Sequence, residues 1–139
     1  MTKEINIFVV GNPATQGSKR HVGNGVMIES CKRLKPWRQD IREALTTHDG
    51  QPSVRLEGAV SCSLEFILVR PKSTPKRSTP PAIKANSDLD KLTRAVFDAI
   101  TSSGVIPDDS RITEVYAKKR IALIGETSGL KLNLRECYP

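Results

Sequence analysis

The chain has 139 residues, enough for one domain with a core of its own. Lys and Arg number 22 against 15 for Asp and Glu, a formal charge of +7 and a pI near 9.6, which favours an anionic partner, either nucleic acid or a membrane surface. No apolar run approaches the roughly 20 residues needed to span a bilayer, and Ile5 to Val10 is too brief, and too soon broken by Gly11, to be a signal peptide. Cys31, Cys62 and Cys137 are widely spaced and form no Cys-x-x-Cys pair, which predicts reduced cytoplasmic thiols rather than a disulfide frame or a zinc site.

In chain order, Ile5 to Val10 is β-branched and apolar and stops at Gly11-Asn12-Pro13, the pattern of a strand ending in a turn. Arg20 to Ser30 places Gly23-Asn24-Gly25 between two short apolar runs, and glycine and asparagine tolerate positive φ, so a tight hairpin is predicted. Pro36 suits the first turn of a helix that continues through Trp37, Ile41, Ala44 and Leu45 at helical spacing. Val54 to Val69 alternates imperfectly and reads as one long strand.

Pro71 to Ala85 changes character. It carries four prolines with Lys72, Lys76, Arg77 and Lys84 and no acidic residue, so it predicts a long basic loop suited to a phosphate backbone rather than a regular element. Leu89, Leu92, Val96, Ala99 and Ile100 then recur at three-to-four spacing, predicting an amphipathic helix over 88–101 with Ser87 as its N-cap and Gly104 as its stop. Two strands over 112–124 and 130–134 are expected to pair antiparallel through the turn from Gly125 to Gly129.

The carboxylates carry the chemistry. Asp88 and Asp90 flank the entry of the predicted helix, and Asp108-Asp109 follows eighteen residues after Asp90. Oxygen ligands of this kind suit Mg²⁺, which takes one or two carboxylates plus water and phosphate oxygens. Residues two apart on a helix do not share a face, so Asp88 and Asp90 can meet one ion only if Asp88 lies in the extended approach to the helix or at its first position. The plainer reading of an isolated Asp-x-Asp is acid favoured by the macrodipole in a first turn. A helix from Asp90 to Ser102 is about 18 Å long, and the residues from Ser103 to Asp109 extend at most roughly 23–25 Å. Asp109 therefore reaches the helix start only if Gly104 to Pro107 runs nearly straight back beside the helix. Arg94, one turn beyond Asp90, faces either that carboxylate, a phosphate or Asp98, and Asp98 reads as structural. His21 and His48 have no partners at metal-ligand spacing.

These residues resemble the RusA family of Holliday junction resolvases. The resemblance rests on Asp88-Leu89-Asp90-Lys91-Leu92, on Arg94 to Ile100, on Gly104-Val105-Ile106 followed by Asp108-Asp109-Ser110-Arg111, and on the N-terminal Gly11-x-Pro13-x-x-Gln16-Gly17-Ser18-Lys19-Arg20. Lys35-Pro36-Trp37 is similar to the phage branch. The resemblance implies a single α+β domain over 1–139: a mixed β-sheet with an N-terminal β-hairpin and two main helices packed on the sheet. It implies a homodimeric, Mg²⁺-dependent endonuclease, with Mn²⁺ a possible substitute, that nicks four-way DNA junctions in the cytoplasm (the host's, if phage-encoded). By motif position the catalytic and metal-binding aspartates are Asp88, Asp90 and Asp109, with Asp108 a further candidate ligand. Arg94 stands where the family has a functional lysine, a planar fork in place of a point charge, and Asn86-Ser87 stands where relatives often have Lys-Pro or an aromatic and a lysine. The cations assigned to DNA are Lys19, Arg20, Lys72, Lys76, Arg77, Lys84 and Lys91. The alternative is a non-catalytic branched-DNA-binding protein of the same fold.

Overall fold

The computed structural model describes residues 3–17, 19–21, 27–29, 32–83 and 87–138, with only the backbone at 19–21, 27–29 and 138. In chain order the elements are strands β1 (Glu4–Val10), β2 (Lys19–His21) and β3 (Met27–Glu29), helix α1 (Leu34–Leu45), strand β4 (Ala59–Leu68), helix α2 (Leu89–Ser103), a 3₁₀ turn at Asp109–Arg111, and strands β5 (Ile112–Ile121) and β6 (Gly129–Tyr138). Four strands form one mixed sheet in the order β1-β6-β4-β5, and β2 pairs antiparallel with β3 as the expected hairpin, whose tip at 22–26 lies outside the described residues. The α+β class, the mixed sheet and the two helices agree with expectation.

β4 lies inside the sheet. Val60, Cys62, Leu64, Phe66 and Leu68 are buried at alternate positions on its core face, with Ile67 buried as well. β4 finds β6 antiparallel on one side and β5 parallel on the other. The expected β5–β6 hairpin is thereby corrected: the turn after β5 carries the chain past β4, and β6 enters between β4 and β1. The parallel β4–β5 pair requires a crossover, and α2 lies within it. The strand expected over 54–69 is shorter, 59–68. Before Gly58 the chain turns its polar backbone elsewhere: Leu56 is buried and its N–H donates to the Val105 carbonyl at 2.8 Å.

Both helices present apolar stripes to the core. α1 buries Leu34, Trp37, Ile41 and Leu45; α2 buries Leu92, Ala95, Val96, Ala99, Ile100 and Ser103. They join Leu130, Leu132 and Leu134 of β6 in one cluster, while Lys131 and Arg135, at the alternating positions, are exposed on the opposite, solvated face of the sheet. Trp37 is core, only 2 % exposed. Pro36 occupies the first turn of α1 as expected. Cys62 and Cys137 are free thiols, and burial pushes Cys62 up to about 12, leaving it an inert core residue; Cys31 lies outside the described residues. Among the described residues no helix is long and apolar enough to cross a membrane.

Among its described residues the basic loop after β4 has no regular element, yet it is tied down. The Arg70 guanidinium donates to the Thr79 hydroxyl at 2.8 Å and to the carbonyls of Ala122, Pro75 and Ser78 at 3.1, 2.5 and 2.8 Å. One cation inside the loop thus satisfies backbone acceptors that prolines leave without local donors.

Candidate active site

The site is organised by α2. Asp88 is its N-cap in extended conformation (φ −66°, ψ 134°), and Asp90 lies in the first helical turn. This meets the condition under which both carboxylates can turn to one ion. The expected cap, Ser87, lies one residue earlier; its carbonyl accepts from the Lys119 ammonium of β5 at 2.8 Å, and Asp88 caps without a side-chain hydrogen bond. The Asp88 carboxylate stays two-thirds exposed, 3.6 Å from the ammonium of Lys91. Gly104 ends the helix in the left-handed region at φ 83°, where a residue without Cβ is free of strain.

Asp90, Arg94 and Asp98 follow at four-residue spacing and so share one stripe of α2. The N-terminal segment lies along that stripe. The Gln16 backbone N–H donates to the Lys91 carbonyl at 3.0 Å, and the Gln16 side-chain amide donates to the Asp98 carboxylate. Arg38 of α1 donates to the Gln16 side-chain oxygen at 2.9 Å and stands 3.6 Å from Asp98. Gly17 touches Arg94 so closely that a Cβ there would meet the guanidinium Nη1 at 2.5 Å. Arg33 fixes the start of the segment, donating to the carbonyls of Asn12 and Pro13 at 2.9 and 3.1 Å. The motif Gly11 to Gly17 therefore positions the outer face of α2, and its glutamine is a bridge between the helices.

Asp109 falls at the other end of α2. Gly104 to Pro107 does not run back beside the helix: Val105 and Ile106 are buried, and the chain turns at Asp109–Arg111 directly into β5. β5 descends antiparallel to α2, since its far end, through Lys119, meets Ser87 at the helix start. A cleft of about 730 Å³ holds Asp98, Asp108 and Asp109 on one wall and Lys35, Arg38 and Arg42 of α1 on the other. Asp90 does not line it. The Asp109 carboxyl is raised above its ordinary range by partial desolvation, then by its hydrogen bond and charge contact with Asp108 and by the charge of Asp98. Asp108 is lowered, first by the hydrogen bond from the Ser110 hydroxyl, 3.0 Å long.

Of the sequence candidates, then, Asp88, Asp90 and Lys91 gather at one end of α2, Asp108 and Asp109 at the other, and Arg94 lies exposed between them. Among the described residues no three His, Cys, Asp or Glu come close enough to hold a metal ion. Lys72, Lys76 and Arg77 are exposed on the loop. Only the backbone of Lys19 and Arg20 is described, and Lys84 lies outside the described residues. Sequence reasoning passed over Arg38 and Arg42, and it named Lys35 and Gln16 only as parts of motifs, without their place at the cleft or between the helices. The one signal for Arg38 and Arg42 was their i, i+4 spacing along the flank of the apolar stripe of α1.

Carboxylates and cations thus face one another across one cleft of a small α+β domain. A family profile described as endodeoxyribonuclease RusA matches residues 11–133, nearly the whole of this architecture. The chain belongs to the RusA endodeoxyribonuclease family, a family of Holliday junction resolvases that act on branched DNA. No significant match to a curated protein was found.

Proposed function

We propose that this chain is a metal-dependent endonuclease that resolves four-way DNA junctions by paired phosphodiester hydrolysis, working as a homodimer. The family match over residues 11–133 carries the reading, and the cleft pairing carboxylates with cations supports it.

Exposed carboxylates are the right donors for Mg²⁺ or Mn²⁺; desolvation does most to raise Asp109, and the repulsion from Asp108 and Asp98 that adds to it is the kind a cation relieves. The donors are divided, however. α2 is about 22 Å long and keeps Asp88–Asp90 apart from Asp108–Asp109, so Asp88 and Asp90 of one copy, with Asp109 of another, would hold the ion. When bound, the ion offsets charge on the scissile phosphate and lowers the pKa of a water. The remaining work falls to side chains of the chain. Lys35, Arg38 and Arg42 hold backbone phosphate over the cleft, and Arg94 contacts the phosphate near Asp90 from a position set by Gly17. Lys72, Lys76 and Arg77, exposed on a loop held in shape by Arg70, add affinity through counterion release. Two copies present two such sites to the two symmetry-related strands of a junction.

Single-turnover cleavage of a synthetic four-way junction in Mg²⁺, at saturating enzyme, tests the reading. Asp→Asn at Asp88, Asp90 or Asp109 removes the charge a hard cation needs while nearly keeping shape. Each change is expected to abolish cleavage and to leave junction binding equal or tighter. Undiminished cleavage by the Asp90→Asn protein sinks the metal site. Tight junction binding with no cleavage by the unaltered protein leaves a branched-DNA-binding protein.

A further inference from the structure

We propose that the free edge of β5 is the surface on which a second copy of this chain docks, its own β5 lying antiparallel about a two-fold axis at Tyr116. The inference specifies the homodimer of the reading above and rests on it for the stoichiometry, but not for the chemistry.

β5 is an outermost strand of ten residues, hydrogen-bonded to β4 on one side. Its middle is open: Thr113, Glu114, Val115 and Tyr116 are consecutively exposed, with Val115 at 49 % and Tyr116 at 67 %. A long edge bearing an aromatic and a β-branched residue is a template for another strand. The strand's charge order selects which. Glu114 stands before Tyr116, and Lys118, Lys119 and Arg120 follow it. Parallel, in-register pairing would stack these cations on one another. Antiparallel pairing about Tyr116 sets Glu114 of each copy directly opposite Lys118 of the other, twice, with Val115 against Ala117.

The face on which these side chains lie agrees. Tyr116, Lys118 and Glu65 line the solvated side of the sheet, and Lys119 points to the helix side, where it meets Ser87. Centring the pairing on Tyr116 matches even with even positions, so the helices of both copies stay on one side of a continuous sheet. A shift by one residue would place the helices on opposite sides. Lys118 is available for the pair: it is 54 % exposed and 3.7 Å from Glu65, which keeps Arg120 at 2.6 Å and Lys131 at 3.8 Å. The other outermost strand, β1, carries Glu4 as its one charge and has no acid–base pair to fix a register. Joining β1 to β5 would give an open-ended chain of copies instead of a closed dimer.

Sedimentation equilibrium at micromolar concentration tests this, with circular dichroism to confirm folding. Glu114→Lys and Lys118→Glu are each expected to weaken the dimer about tenfold or more, because every change acts twice across the axis. The double exchange should restore it. In a parallel measurement Tyr116→Cys should form a disulfide-linked dimer on mild oxidation, since directly opposite strand residues lie about 4.5–5.5 Å apart at Cα. Single exchanges that leave the dimer unchanged, a monomeric parent protein, or a folded Tyr116→Cys protein that does not cross-link each overturn the proposal. If the dimer survives these changes and still nicks junctions, the nuclease reading stands and the interface lies elsewhere. A dimer that behaves as expected here but never nicks upholds the interface and removes the nuclease.

Discussion

Replacing Asp98 by alanine removes one acceptor from two elements at once: the Gln16 side-chain amide of the N-terminal segment and the Arg38 guanidinium of α1. The ion pair is 3.6 Å long between side chains 33 % and 44 % exposed, so solvent screens it to about 0.2–1 kcal/mol. A hydrogen bond to an ionised acceptor contributes about 1.5–3 kcal/mol when buried, and this partly buried one falls at the low end. Together these give about 2 kcal/mol for Asp98→Ala. Asn keeps an acceptor but loses the charge that roughly doubles the bond, so Asp98→Asn should cost about 1 kcal/mol. For a domain this size, with a urea slope near 2 kcal/mol per molar, the midpoints should fall by about 1 M and about 0.5 M with the slope unchanged.

The same substitution reports on the cleft. Asp98 is one of the charges that hold the Asp109 carboxyl up, so removing it must bring the Asp109 titration down, readable by carboxyl NMR. Cleavage by Asp98→Asn should stay within a few-fold, because Asp98 is held by protein partners rather than offered to substrate. An Asp98→Ala protein as stable as its parent to within a few tenths of a kcal/mol, with Asp109 titrating unchanged, would refute both the bridge and the shared cleft.

Acid should weaken the turn after β5. Arg120 makes two 2.6 Å bonds to Glu126, whose carboxylate also accepts from the Leu123 N–H, and these lower Glu126 to about 2. A depressed carboxylate contributes stability above its ordinary value near 4.5 and loses it as pH falls toward 2. The gap in melting temperature between parent and Glu126→Gln should therefore be present at pH 5 and closed by pH 2; a gap that persists in acid is not due to charge. Gly129→Ala should destabilise more than Gly104→Ala. At Gly129 a Cβ would meet the Val9 carbonyl oxygen at 2.2 Å, against the β1 backbone, while at Gly104 it meets only Pro52 at an ordinary 3.5 Å and costs about 1–2 kcal/mol of left-handed strain. Equal urea midpoints for the two variants would contradict the close approach of β1 to β6.

What the sequence disclosed depended on how far apart the deciding residues lie. α2 was legible almost to the residue because its apolar period, its acidic entry and its glycine stop are all local signals. The partners of β5 and β6 were not, although both strands were: the expected hairpin between them does not form. Each pairs instead with β4, which ends more than forty residues before β5 begins and lies between them in the sheet. Chain arithmetic over the candidate site gave only a bound. It showed that Asp109 has length enough to return to Asp90, and the structure spends that length burying Val105 and Ile106 under Leu56 instead. The acidic pairs consequently end on opposite ends of one helix, and Asp109 meets Asp98, a residue that reads as structural from spacing alone. The contacts of Gln16 and Arg38 with Asp98 were not legible for the same reason: they close loops of 82 and 60 residues, and no local pattern encodes them. A composite site of this kind is invisible to any argument that follows one chain along its length, because the residue that completes it is supplied by the fold's outer surface and, in the reading proposed, by another copy.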